Sequence, residues 1–172
     1  MDRAREWITK HDETWFYLCN QSQPAFIQFF KWITHLGGAT LTIGIQLFFI
    51  LFPQFELRRV AIVAAVALTI SHIIVVLIKR LVKRIRPYLS LPNVTPHGHL
   101  FKDHSFPSGH STAIFSVVIP YMLAMPNVTF ILLPLAGLVA FSRVVLGVHY
   151  PTDIVVGSSL GTITAMFVFA LI

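Results

Sequence analysis

His149 and Asp153 stand four residues apart, Arg143 precedes the histidine by six, and a second histidine, His110, follows Pro107, Ser108 and Gly109. A carboxylate one helical turn from an imidazole can hold its Nδ1 proton and leave the Nε2 lone pair free to attack. Hydrolase triads orient their base in this way; here the same arrangement serves a nucleophilic ring. Arg143 closes an apolar stretch, where a cation is costly unless it pairs or serves an anion.

Two further clusters carry charge or anion-binding backbone. Residues 79–86 hold five of the basic residues, and Lys79, Lys83 and Arg86 share a face if the helix continues to Pro87. Arginine offers a planar fork to phosphate oxygens, and lysine a point charge. Alone, the run reads as the charged flank of a span. Pro107-Ser108-Gly109-His110 reads as a helix start with Ser108 as N-cap. The first N–H groups of such a helix, and its positive end, suit either an ordinary cap or a phosphate.

Positioning these clusters falls to long apolar blocks. The chain of 172 residues is 55% hydrophobic and 12% charged, with a net charge of +6. A soluble domain carries about twice that charged fraction. The composition points to an all-α, polytopic integral membrane bundle, with 1–172 as a single domain. Spans are expected at 26–52 (broken at Gly37-Gly38 and stopped by Pro53), 60–78, 108–125, 128–145 and 151–172. That makes about five, with six possible. Glu56, Arg58 and Arg59 form a polar turn, and 79–107 is a motif-bearing extramembrane loop punctuated by prolines. Residues 1–23 lack the apolar core of a cleavable signal and read as an interfacial helix carrying Trp7, Trp15, Phe16 and Tyr17. With alternating spans, all three polar clusters meet at one membrane surface.

Several classes drop out. The basic run sits among apolar spans, which argues against nucleic acid as a partner. Cys19 is the sole cysteine, so no internal disulfide or thiolate metal cluster can form. His97, His99 and His104 in the loop read as shaping the mouth of a site, and His35 and His72 as polar packing partners.

The three motifs in order, Lys79 with Arg86-Pro87, Pro107 to His110, and Ser142-Arg143 with His149 and Asp153, match K-x6-RP, PSGH and SR-x5-H-x3-D. The sequence thereby resembles the type 2 phosphatidic acid phosphatase (PAP2) superfamily of membrane lipid phosphatases, over residues 79–153. The resemblance implies that Lys79, Arg86 and Arg143 bind the phosphate, with Ser108 and Gly109 donating to its oxygens. His149 would attack phosphorus, Asp153 would orient it, and His110 would protonate the leaving oxygen and then activate water. It implies no cofactor and no metal, since the cations and the helix end supply the charge stabilisation.

The implied substrates are lipid phosphates, among them undecaprenyl pyrophosphate, phosphatidylglycerol phosphate, phosphatidic acid and lipid A phosphate. The resemblance also places the site on the extracytoplasmic face of a bacterial inner membrane. The count of basic residues alone points to the cytoplasm, but the catalytic cations themselves dominate that count. Rival readings are a transporter for phosphorylated lipids and a lipid-to-lipid phosphotransferase.

Overall fold

The computed structural model describes residues 2–20, 23–52 and 57–172, and every regular element among them is helical. Pro53 and Glu56, expected at the first polar turn, lie outside the described residues. Helix α1 is Asp2–Asn20, α2 is Pro24–Ile33 and α3 is Ala39–Leu51, with a 3₁₀ turn at Thr34–Gly37 between the last two. Then follow α4 (Arg58–Val82), the short α5 (Pro87–Ser90), α6 (Gly109–Ala124), α7 (Thr129–Val145) and α8 (Pro151–Leu171).

Three stretches are long and apolar enough to cross a membrane: Arg58–Ser90, Pro126–Val145 and Pro151–Leu171. The pair Pro24–Gly37 and Ala39–Leu51 makes a fourth if counted as one, bent by 45°. The bend falls at the Gly37-Gly38 break, where a side chain at Gly37 would collide with Val139 at 2.6 Å. Helix α6 has 16 residues and spans about 24 Å at 1.5 Å per residue, short of a hydrocarbon core of about 30 Å. It packs against α4, α7 and α8, and residues 111–114 and 116–121 are all buried.

The contact between α6 and α8 is the closest in the bundle core. A Cβ on Gly161 would sit 2.4 Å from the Thr112 carbonyl oxygen, and one on Gly157 2.7 Å from that of Ser108. Two small residues four apart let helix backbones touch. The two helix starts are tied together there: the Ser108 N–H donates to the Asp153 carbonyl at 3.0 Å.

Two expectations are corrected. Helix α4 stops at Val82, four residues before Arg86, because Lys83 takes a left-handed backbone (φ 51°). Lys83 therefore leaves the face it would have shared with Lys79, and is exposed; Pro87 opens α5 instead of closing α4. In α1, Trp7 and Trp15 are exposed, but Phe16 is fully buried with its ring 5.9 Å from that of Tyr150. It anchors α1 on the bundle and does not face an interface.

Candidate active site

The end of α4, the start of α6, the end of α7 and the turn before α8 close on one pocket of about 200 Å³. Its walls include Lys79, Arg86, Gly109, His110, Arg143 and His149. Three motifs separated by up to seventy residues thus meet at one end of the bundle, as the alternation of spans requires.

His149 is buried, and its Nδ1 lies 3.4 Å from Asp153 Oδ2. Asp153 is held on every side: Oδ2 accepts from the Ser105 hydroxyl and from the Tyr150 N–H at 2.9 Å, and Oδ1 from Arg84 Nη1 at 2.7 Å. Such a carboxylate fixes the imidazole tautomer that leaves Nε2 unprotonated. Burial pushes the His149 pKa down to about 4 against the pull of Asp153, and the charges of Arg86 and Arg143 push the same way as burial. Nε2 lies 3.3 Å from Arg86 Nη1, so this ring nitrogen sits beside a cation.

The cations differ in how far they are engaged. Arg86 gives Nη1 to the Val148 carbonyl at 2.8 Å and Nη2 to Asp103 Oδ1 at 2.6 Å. Lys79 gives Nζ to Asp103 Oδ2 and to the His104 carbonyl, both at 2.6 Å. Although burial pushes the other way, Lys79 and Arg86 hold the Asp103 carboxyl down to about 2. Arg143 donates Nη1 to Thr34 Oγ1 at 2.5 Å, while its Nε and Nη2 are buried without a partner among the described residues. Buried N–H groups left unpaired at a pocket wall are costly, and an anion satisfies them. Phe101 lies between the two arginines, 4.9 Å from the Arg86 guanidinium and 5.3 Å from that of Arg143.

At the start of α6 the two motif residues part ways. Gly109 lines the pocket, and a Cβ there would meet nothing within 4 Å, so its backbone is open to an approaching group. Ser108 is fully buried behind it: its hydroxyl accepts from the Ser111 N–H at 3.4 Å, as an N-cap does, and from the Ser111 hydroxyl at 2.9 Å, and its own N–H is spent on Asp153. His110, the next residue of the same helix, also lines the pocket and makes no side-chain hydrogen bond among the described residues.

Five contributors were not foreseen from sequence. Asp103 bridges Lys79 and Arg86, Phe101 separates the arginines, and Thr34 holds Arg143. Arg84, half-buried in a network with Asp12 and Thr152, holds Asp153. His72, taken for a packing partner, lines the pocket two helical turns before Lys79. A polar residue inside an apolar span was the available signal for His72; the others had none beyond residue type.

The PAP2 superfamily profile matches residues 60–172. The chain belongs to the PAP2 superfamily. It is 35% identical over 112 residues to a bacitracin transport permease protein of Bacillus licheniformis, covering 65% of this chain and 55% of that one. It is 41% identical over 106 residues to a decaprenylphosphoryl-5-phosphoribose phosphatase of Mycobacterium tuberculosis, covering 60% and 56%. This chain therefore spans little more than half the length of these curated relatives. In fold it is similar to the crystal structure of Aquifex aeolicus LpxE, with a TM-score of 0.82 at 24% identity over 91% of this chain and 93% of that one.

Proposed function

We propose that this PAP2 member is a lipid phosphate phosphatase, working as one integral membrane domain of five crossings with α6 as the central one. It cleaves a phosphomonoester or a terminal pyrophosphate through a phosphohistidine. The observation that carries the reading is a buried, neutral His149, backed by Asp153, facing a pocket where Arg143 holds two unpaired N–H donors.

Lys79, Arg86 and Arg143 bind the phosphate oxygens, and the open backbone of Gly109 adds a donor, while Ser108 caps the start of α6 from behind. His149 Nε2 forms a bond to phosphorus as the phosphorus–oxygen bond to the lipid breaks, and His110 gives its proton to the leaving oxygen. Water then attacks the phosphohistidine. His110 takes one of its protons, the nitrogen–phosphorus bond breaks, and inorganic phosphate leaves with both histidines restored. Charge developing on the transferred group is met by fixed cations in a dry site, where they act most strongly.

The substrate is a lipid whose tail stays in the bilayer, with undecaprenyl pyrophosphate or phosphatidylglycerol phosphate as the leading candidates. The mycobacterial relative, named for a prenyl-linked phosphosugar, supports the prenyl choice. Placement in a bacterial inner membrane, with the site extracytoplasmic, follows the family resemblance. The name of the Bacillus relative favours a second reading, transport of a phosphorylated lipid, and phosphotransfer to another lipid would use the same phosphoenzyme.

Phosphate release from prenyl diphosphates and phospholipid monophosphates by detergent-purified protein, with EDTA throughout, tests all three. Hydrolysis predicts release by wild type and a loss of at least about 10³-fold in His149→Ala. Equal turnover by the variant would sink the phosphohistidine. A phosphorylated acceptor in place of free phosphate would make the protein a transferase.

A further inference from the structure

A second cavity of about 330 Å³ adjoins the catalytic pocket. The two share Phe101, His110 and Arg143. Its outer wall carries Lys31, His35, His97 and His99, none of them in a motif, and no carboxylate lines it.

These side chains come from two separate segments that are fastened in place. Lys31 and His35 lie on the last turn of α2 and the 3₁₀ turn that follows. His97 is anchored through its N–H to the Leu146 carbonyl at 3.0 Å, and Asn20 donates to the Thr95 carbonyl at 3.2 Å. Lys31 is near enough to His97 for its charge to add to the effect of burial in lowering that imidazole's pKa. A neutral imidazole still offers one N–H, so the wall presents donors whatever its charge. Among the described residues no three His, Cys, Asp or Glu side chains gather as a metal cage. The cavity is built for an anion.

Its position says which anion. His110, the residue that protonates the leaving oxygen, stands where the two cavities meet, so the second cavity lies on the side of the leaving group. Arg143 reaches both. We propose that this cavity is a second phosphate subsite, holding the phosphate that leaves with the lipid, and that the preferred substrate is a lipid diphosphate. The inference rests on the phosphatase reading above and narrows it. Attack at the terminal phosphorus then expels a lipid monophosphate, protonated on its leaving oxygen by His110, whose remaining negative charge is met by Lys31 and the histidine N–H groups. Helix α2, which supplies Lys31, presents Phe29 and Trp32 outward at 48% and 71% exposure, an apolar flank for the departing chain.

The test uses purified full-length protein with farnesyl diphosphate and farnesyl monophosphate, comparing wild type, Lys31→Ala and His97→Ala/His99→Ala. The expected result is a fall of about tenfold or more in kcat/KM for the diphosphate and less than about twofold for the monophosphate, each tenfold being about 1.4 kcal/mol. Inorganic pyrophosphate should inhibit wild type more strongly than inorganic phosphate does, and Lys31→Ala should remove that difference. Equal losses on both substrates, or no loss on either, would overturn the subsite while leaving the phosphatase reading intact. A wild type that hydrolyses neither substrate would overturn both.

Discussion

Arg84 donates to Asp153 Oδ1 at 2.7 Å, from a position two residues before the pocket-lining Arg86. Its other terminal nitrogen lies 2.6 Å from Asp12 Oδ2, and its guanidinium stacks 3.9 Å above the Tyr150 ring. The carboxylate beside His149, proposed to orient it, is thus itself held by a cation that does not line the pocket.

Replacing Arg84 by alanine should lower kcat by about 100-fold with little change in KM, since a small misplacement of the reacting groups costs that much. Arg84→Lys should recover part of the loss by restoring the charge. Steady-state kinetics of the two variants checks this, and a change confined to KM would place Arg84 among the substrate-binding groups instead.

The pH profile follows from His149. Its folded pKa, about 4, lies below the ordinary imidazole value of 6.5, so the nucleophile is neutral through the physiological range. The acid limb of kcat/KM should fall near pH 4 and not near 6.5. Stability moves with the same sign: between about pH 6.5 and 4 the unfolded chain binds the extra proton, so acidification through that window destabilises the fold. Thermal unfolding of wild type and His149→Gln at pH 7 and pH 5 checks it, the variant showing the smaller decrease.

Asp103 pairs with Lys79 and Arg86, two of the cations proposed to bind phosphate, and with a side chain 52% exposed it is open to displacement. Asp103→Asn removes its charge while keeping its size. Inhibition by inorganic phosphate should strengthen by about two- to fivefold, within the range for partly exposed charge pairs. Inhibition constants at fixed ionic strength measure it; weaker inhibition would mean that Asp103 helps to bind phosphate.

Gly161→Ala forces a methyl group against a backbone carbonyl of α6 that cannot rotate away. Overpacking of this kind costs about 1–3 kcal/mol. Because the same helix pair ties Ser108 to Asp153, activity should fall along with the unfolding temperature in detergent. Alanine at Gly137, where a Cβ meets nothing within 4 Å, should leave both unchanged.

Motif spacing and hydropathy anticipated that the motif residues meet at one pocket, because each rests on short-range chemistry or on the expected alternation of spans. The broken first span was visible in Gly37-Gly38. Helix periodicity failed at Lys83, where one left-handed residue turned Arg86 onto a different path. Phe16 looked interfacial because an aromatic residue in a polar helix carries no mark of what covers it. Asp12, Arg84 and Asp103 could not be placed, since pairings across 72, 69 and 24 residues leave no local pattern.

Helix α1 lies wholly outside the residues matched by the family profile. Its Asp12 is nonetheless buried, binding Arg84 and also the Thr152 N–H at 2.9 Å. Damage at Asp12 would therefore read in an assay as an active-site lesion, although its own atoms never meet the substrate. Anyone who trims this chain to its recognisable core, or grafts that core onto another leader, removes one end of the chain of contacts that holds the nucleophile. The boundary of the shared family region is not the boundary of the contact network around Asp153.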